Sequence, residues 1–186
     1  MITTCRRLNP TAFNARVWRR LADYSHPLEV YYGGAGSGKS YGAAQKVLLK
    51  AMNARRKVLV IRKVGTTLRD SIFQLFLDLL ADAGISSACD VNKTDMRITL
   101  PNGSMFIFKG LDDREKIKSI TGITDIVVEE ATEITEDDFT QLRLRLRPPE
   151  PNPQIYLMFN PVSKANWVYS YFFLTPPADA LVIQTT

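Results

Sequence analysis

Histidine and cysteine are almost missing from this chain. Its 186 residues contain one histidine, His26, and two cysteines, Cys5 and Cys89. Two cysteines are too few for a disulfide-built scaffold, and with a single histidine they offer no zinc-finger spacing. No apolar run approaches the roughly 18 residues that a membrane span needs. The opening MITTCRRLNP lacks the apolar core of a secretory signal. No repeat, low-complexity segment or Ser/Gly-rich linker divides the chain. These absences lead one to expect a soluble protein in a reducing, intracellular setting with no membrane partner. What remains is 45% hydrophobic and 23% charged, ordinary for a globular chain with a real core, at the length of one α/β domain or two small ones. Lys and Arg number 24 against 19 Asp and Glu, a net charge of +5. That balance favours a polyanionic partner without demanding one.

Along the chain, strand and helix patterns alternate. Thr11 to Tyr24 reads as a basic amphipathic helix, with Phe13, Val17, Trp18 and Leu21 at helical spacing. Leu28 to Tyr32 is a short β-prone run entering a glycine cluster, and a helix is expected from Lys39 to Asn53. Lys57 to Lys63 (KVLVIRK) has the near-continuous apolar character of a parallel strand buried on both faces. Thr66 to Ala83 carries an apolar stripe and predicts one helix stopped at Gly84. Pro101-Asn102-Gly103 between two β-prone runs predicts an antiparallel hairpin near residues 96–109. Thr124 to Glu129 and Gln154 to Asn160 read as strands, and Thr135 to Arg147 as a helix. The alternation predicts an α/β fold, a mainly parallel central sheet flanked by helices.

The glycine cluster carries the chemistry. Gly33-Gly34-Ala35-Gly36-Ser37-Gly38-Lys39-Ser40 matches G-x-x-x-x-G-K-[ST] without a mismatch. Glycines let successive backbone N–H groups converge on phosphate oxygens, and the helix that follows favours negative charge at its N-terminus. In that geometry Gly34, Ala35, Gly36, Ser37, Gly38, Lys39, Ser40 and Tyr41 surround ATP. Lys39 reaches the β/γ-phosphates and the Ser40 hydroxyl takes a Mg²⁺ position. The bland reading is a glycine-rich turn, but strand and helix are predicted independently on either side of it.

Ninety residues after Lys39, the strand Ile126-Val127-Val128 ends in Glu129-Glu130. Two acids closing a buried strand are unfavourable unless they meet a cation or a reacting group. Glu129 is then the metal-side carboxylate and Glu130 the general base that deprotonates an attacking water. A pair of solvated acids at a strand end is the alternative. The 90-residue gap leaves room for a strand between the phosphate-loop strand and the acidic one, the layout of motor-type ATPases rather than simple kinases. Phe159-Asn160-Pro161 follows the last long strand. Asn160 there either sits beside the γ-phosphate or closes the strand with an Asn-Pro turn.

Taken in order, YYGGAGSGKSY, VLVIRKVGTTLRDSIF, FKGLDDREKIKSITGITDIVVEEATEI and IYLMFNP resemble the large terminase subunit of tailed bacteriophages and prophages. The resemblance runs from about Leu8 to Phe173. It implies a P-loop ATPase domain that drives double-stranded DNA into a procapsid. The implied partners are double-stranded DNA, a ring of like subunits on the portal, the portal protein and the small terminase subunit, in the cytoplasm of an infected bacterium. It also implies that Asn160 couples hydrolysis to movement, and that Asn9 and Phe13 belong to an adenine-contacting segment within residues 1–26, ahead of a core spanning 27–175.

Two departures accompany it. Many relatives carry an arginine inside the phosphate loop where this chain has Ala35, so the transition-state charge needs another cation. Candidates for a trans finger are Arg114, Lys118, Arg143, Arg145 and Arg147, with Arg143 and Arg145 foremost. A solvated helix face is the plain alternative for the arginine run. Arg62 and Lys63 end their strand within reach of a γ-phosphate or of DNA. Second, no acid cluster follows Asn160, so the C-terminal nuclease domain of the family is expected to be absent from this chain and nuclease activity is not expected. Rival functions are a helicase- or recombinase-like nucleic-acid ATPase, a nucleotide kinase, and a non-hydrolysing, nucleotide-gated DNA-binding module.

Overall fold

Apolar residues at every position, rather than at alternate ones, set the architecture. Lys57–Arg62 (β2), Asp125–Glu129 (β6) and Gln154–Phe159 (β7) are buried along both faces, as strands covered by helices on each side must be. The computed structural model describes residues 19–146, 152–161 and 163–185, with the backbone alone for 113–116. The remaining strands are Leu28–Tyr32 (β1), Asp90–Asn92 (β3), Arg97–Thr99 (β4), Met105–Gly110 (β5) and Ala180–Gln184 (β8). They form one eight-stranded sheet in the order β3-β4-β5-β2-β6-β7-β1-β8. The six strands from β5 to β8 in that order run parallel, while β4 pairs antiparallel with both β3 and β5.

Successive strand residues face opposite layers. Tyr31, Val58, Val60, Phe106, Phe108 and Val127 pack under the helix Lys39–Asn53 (α1) and the helix Gln74–Asp82 (α2). Val30, Leu59, Ile61, Ile126 and Val128 pack on the other face beneath Phe139 and Phe172. Phe139 belongs to the helix Glu136–Arg143 (α4), which follows Arg114–Ser119 (α3). Thr135 closes the N-terminus of α4 with a reciprocal capping box to Asp138. A short helical turn, Trp167–Tyr169 (α5), completes the second layer. Among the described residues, no helix is long and apolar enough to cross a membrane.

Three features depart from the sequence-based expectation or fall partly outside the described residues. The helix expected over Thr66–Ala83 is broken into a 3-10 turn (Gly65–Leu68), a π-type turn (Arg69–Phe73) and α2. The break is at Ser71, whose backbone (φ −113°, ψ −108°) is not helical. A strand does intervene between the phosphate-loop strand and the acidic strand, as expected, and it is β7, from later in the chain. The helix expected to run to Arg147 ends at Arg143. Of the basic helix expected over Thr11–Tyr24, residues 11–18 lie outside the described residues, and Arg19–Ala22 form a turn.

Candidate active site

The parallel strands β1, β7 and β6 end level with one another. Tyr32 pairs with Phe159, and Met158 with Glu129. With strands about 4.8 Å apart, the ends of β1 and β6 lie about 10 Å from each other, bridged by the end of β7. The residues that follow these three ends make the site.

After Tyr32 the chain turns through Gly33–Gly38 into α1. Gly36 (φ 75°) and Gly38 (φ 76°) adopt left-handed backbone, which a side chain disfavours, and Gly38 is the residue that caps α1. The Ser37 amide donates to the Gly34 carbonyl at 3.2 Å. Lys39, 8% exposed, donates its ammonium to Gly34 O at 3.2 Å and to Asn160 Oδ1 at 2.7 Å. The loop lysine and the polar residue past β7 are therefore in direct contact, although 121 residues separate them. Ser40 lies beside Lys39 in the first turn of α1. Tyr41 bridges to α2 instead, its hydroxyl 3.4 Å from Asp82, and the structure does not draw it to the rest of the loop. Asn9 and Phe13 lie outside the described residues.

At the end of β6, Glu129 is largely buried. Its carboxylate accepts a hydrogen bond from Ser71 Oγ at 3.0 Å and lies 3.6 Å from the Arg62 guanidinium. Burial, ahead of these two favourable partners, lifts the Glu129 carboxyl above its ordinary range. Burial leaves this carboxylate favouring a further cation, and it and the Ser40 hydroxyl are both hard-oxygen donors. Mg²⁺ takes one or two protein oxygens and completes its shell with phosphate and water, so these residues fit that ion. Among the described residues, no cluster of three or more acidic, His or Cys ligands is found.

Glu130 adopts φ 51°, a left-handed conformation that a residue with a side chain adopts only when its surroundings enforce it. The enforcement is visible. The Ala131 amide donates to Met158 O of β7 and the Glu133 amide donates back to Glu130 O, both at 2.9 Å. The turn leaves β6 abruptly at the two glutamates.

The basic candidates are distributed differently. Lys63 donates to the Glu133 carbonyl at 2.9 Å, so Arg62 and Lys63 both tie the end of β2 to the acidic turn. Arg143 donates to Tyr171 Oη at 2.6 Å, and Arg145 donates to the Lys118 carbonyl at 2.8 Å. These bonds hold both arginines beside their own fold, and neither is brought to the phosphate loop of the same chain. Arg147 and the Arg114 side chain lie outside the described parts.

Sequence reasoning missed three things. Ser71 is legible only as a position within the expected helix, and the helix break that turns it toward Glu129 has no sequence signal. Thr185 is hydrogen-bonded to the phosphate loop through Ser37, from the far end of the chain. Under the opposite end of the sheet, α1 carries a buried charge network. Lys46 meets Glu29 at 2.7 Å, and Lys50 meets Asp125 Oδ1 at 2.6 Å and Gln154 Oε1 at 2.7 Å. Nothing local in the sequence marks these two lysines as buried; the tertiary structure supplies their partners.

Comparison with known proteins agrees with this architecture. The family model described as phage terminase large subunit matches residues 25–186. The PBSX phage terminase large subunit of Bacillus subtilis (strain 168) is 40% identical over 141 residues, covering 76% of this chain and 33% of the relative. The terminase large subunit of Bacillus phage SPP1 is 32% identical over 185 residues, covering 91% of this chain and 43% of the relative. The chain thus spans less than half the length of these two relatives. The large terminase of a thermophilic bacteriophage superposes with a TM-score of 0.79 at 16% identity, over 94% of this chain and 46% of that one. The N-terminal domain of the DNA-packaging ATPase from bacteriophage phi29 superposes with a TM-score of 0.66 at 17% identity, over 94% of both chains. With its motifs, strand order and family match in agreement, the chain belongs to the phage terminase large subunit family.

Proposed function

We propose that this chain is the ATP-hydrolysing motor domain of a terminase large subunit, coupling hydrolysis to movement of double-stranded DNA into a procapsid. The observation that carries the reading is the contact of Lys39 with Asn160 at 2.7 Å, at the end of a strand flanked by the phosphate-loop strand and the Glu129-Glu130 strand. The thermophilic bacteriophage's large terminase, which shares this fold, has been solved with ADP and with ATP-gamma-S.

In this reading the backbone amides of Gly34 to Ser40 receive the β- and γ-phosphates, and Lys39 moves its ammonium from Gly34 O to phosphate oxygen while Asn160 holds its other side. Ser40 and Glu129 would hold Mg²⁺, which would supply charge neutralisation to the phosphates. Glu130 accepts a proton from water as the water oxygen bonds to the γ-phosphorus. The bond from that phosphorus to the β,γ-bridging oxygen breaks, leaving ADP and inorganic phosphate. Ala35 offers no cation inside the loop, so the developing charge calls for one from a neighbouring subunit in a ring on the portal. Arg114, Lys118, Arg143, Arg145 and Arg147 are the candidates. The portal protein and small terminase subunit are the remaining partners, and the infected host's cytoplasm is the setting.

The test compares Glu130→Gln and Lys39→Ala with the parent chain. Glu130→Gln is expected to keep Mg·ATP affinity while hydrolysis falls about 10²- to 10⁴-fold, and Lys39→Ala to lose binding or turnover. Parent turnover is expected to rise with protein concentration as a trans cation arrives. Unchanged hydrolysis in Lys39→Ala would refute the phosphate-loop assignment. A parent chain that binds ATP with only low turnover, left unchanged by Glu130→Gln, would favour a non-hydrolysing, nucleotide-gated DNA-binding module.

A further inference from the structure

Thr185 follows the edge strand β8 and is 1% exposed. Its amide donates to the carbonyl of Tyr32, the last residue of β1, at 2.8 Å. Its hydroxyl lies 3.2 Å from the same carbonyl and 2.8 Å from the Ser37 hydroxyl. A hydroxyl has one proton to give. With Thr185 donating to Tyr32 O, the relay runs from Ser37 Oγ–H to Thr185 Oγ1–H to the Tyr32 carbonyl. It fastens the middle of the phosphate loop to the strand the loop has just left.

Two observations show that this contact is built closely. A β-carbon at Gly33 would run into the Thr185 carbonyl, the Thr185 hydroxyl and the Ser37 hydroxyl together, so the glycine at the start of the loop makes room for Thr185. Ser37 stands between Gly36 and Gly38, both left-handed. Glycine loses the most conformational freedom on ordering, so a loop of this composition gains most from an external tether. The Ser37 amide is also one of the donors that phosphate binding needs.

We propose that Thr185 is a positioning residue of the phosphate loop, holding Ser37 so that the loop amides are arranged for phosphate before nucleotide arrives. The inference rests on the nucleotide-binding reading of Gly33–Ser40 and adds a residue from outside the motif. Thr185 touches neither phosphate nor metal, and it acts through Ser37 and Gly33.

The test uses Thr185→Val, which keeps the branched shape and removes the hydroxyl, with Thr185→Ser and Ser37→Ala beside it. The readouts are amide hydrogen exchange without nucleotide and equilibrium binding of ATP-gamma-S by calorimetry. Thr185→Val is expected to speed exchange across residues 33–40 while α2 and β5 keep their protection. It is also expected to weaken ATP-gamma-S about three- to tenfold, the range of one net hydrogen bond. Thr185→Ser is expected to restore both. Thr185→Val combined with Ser37→Ala is expected to bind no more weakly than the weaker single variant, because both remove one bond. Parent-like loop exchange in Thr185→Val, or acceleration spread evenly over the whole sheet, would overturn the proposal. Should the parent chain fail to bind ATP-gamma-S, the nucleotide reading falls, and the exchange arm still decides whether Thr185 holds the loop.

Discussion

Replacing Lys50 by methionine tests the buried charge network under α1. The Lys50 ammonium, 2% exposed, donates to Asp125 Oδ1 at 2.6 Å, Asn152 O at 2.6 Å and Gln154 Oε1 at 2.7 Å. Methionine keeps the aliphatic stem and removes all three bonds. Gln154 Oε1 still receives the Tyr156 hydroxyl at 2.6 Å, and Asp125 Oδ2 still receives Thr124 Oγ1 at 2.8 Å. The nearest remaining cation to Asp125 is Arg56, at 3.8 Å. A buried carboxylate deprived of its closest cation is destabilising by about 3–5 kcal/mol, a large fraction of a domain's total of about 5–15 kcal/mol. Proton linkage adds a second signature. Burial, outweighing the attraction of Asp125, lowers Lys50 from 10.5 to about 8. Between those values the unfolded chain holds more protons than the folded one, so stability rises as pH climbs. From pH 8 to pH 10 this group alone adds about 2 kcal/mol. Lys46, also lowered by burial, acts in the same direction. Above pH 10 the sign reverses, because burial holds Tyr31 and Tyr156 well above their ordinary value and they stay protonated only when folded. Urea unfolding of parent and Lys50→Met at pH 7, 8, 9 and 10 measures both effects. A loss below about 1 kcal/mol at pH 7, or an equal rise with pH in the variant, would refute the reasoning.

Glu130→Gly is expected to abolish hydrolysis without lowering the urea midpoint. Glycine removes the side chain from a φ of 51°, a relief of about 1 kcal/mol that offsets its added unfolded-state entropy. Glu130→Gln keeps the β-carbon and should show no such compensation, so a Gly variant clearly less stable than the Gln variant counts against strain at this turn. Gly110→Ala is expected to destabilise by about 1–3 kcal/mol, since its β-carbon would meet the Asp112 carboxylate and the backbone of Gly65. A parent-like urea midpoint would show that the loops after β2 and β5 can part freely.

The strands were legible where the sequence holds apolar residues at successive positions, and the phosphate loop where glycine spacing allows one geometry. Leu28–Tyr32 and Lys39–Asn53 were expected with the bounds the structure gives. The failures share a physical cause. Ser71 lies inside a segment with an unbroken apolar stripe, yet the helix opens there and its hydroxyl is 2.7 Å from Thr67 O and 3.0 Å from Glu129. Local periodicity cannot register a bond to a residue 58 positions away. Lys46 and Lys50 carry no sequence signal of burial, because long-range partners, Glu29 and Asp125, decide it. From the residues alone Asn160 reads equally as a turn or as a site residue, because its place depends on strand order, and strand order is a tertiary quantity.

That order explains why three motifs far apart in sequence can act together. β7 lies between β1 and β6, paired in parallel with each. In a sheet with β6 directly beside β1, the acidic turn would stand about 5 Å from the start of the phosphate loop, with no strand end between them. Inserting β7 doubles that spacing and fills the gap with a polar residue that contacts Lys39. The same insertion lets the Met158 carbonyl take the Ala131 amide and the Phe159 carbonyl face the Gly33 amide at 3.4 Å. One strand end thus fastens the turn bearing Glu130 on one side and the root of the loop bearing Lys39 on the other. A shift of β7 along its neighbours would move Asn160, the Glu130 turn and the loop root together. The residues that follow all three strand ends thus form one mechanical unit.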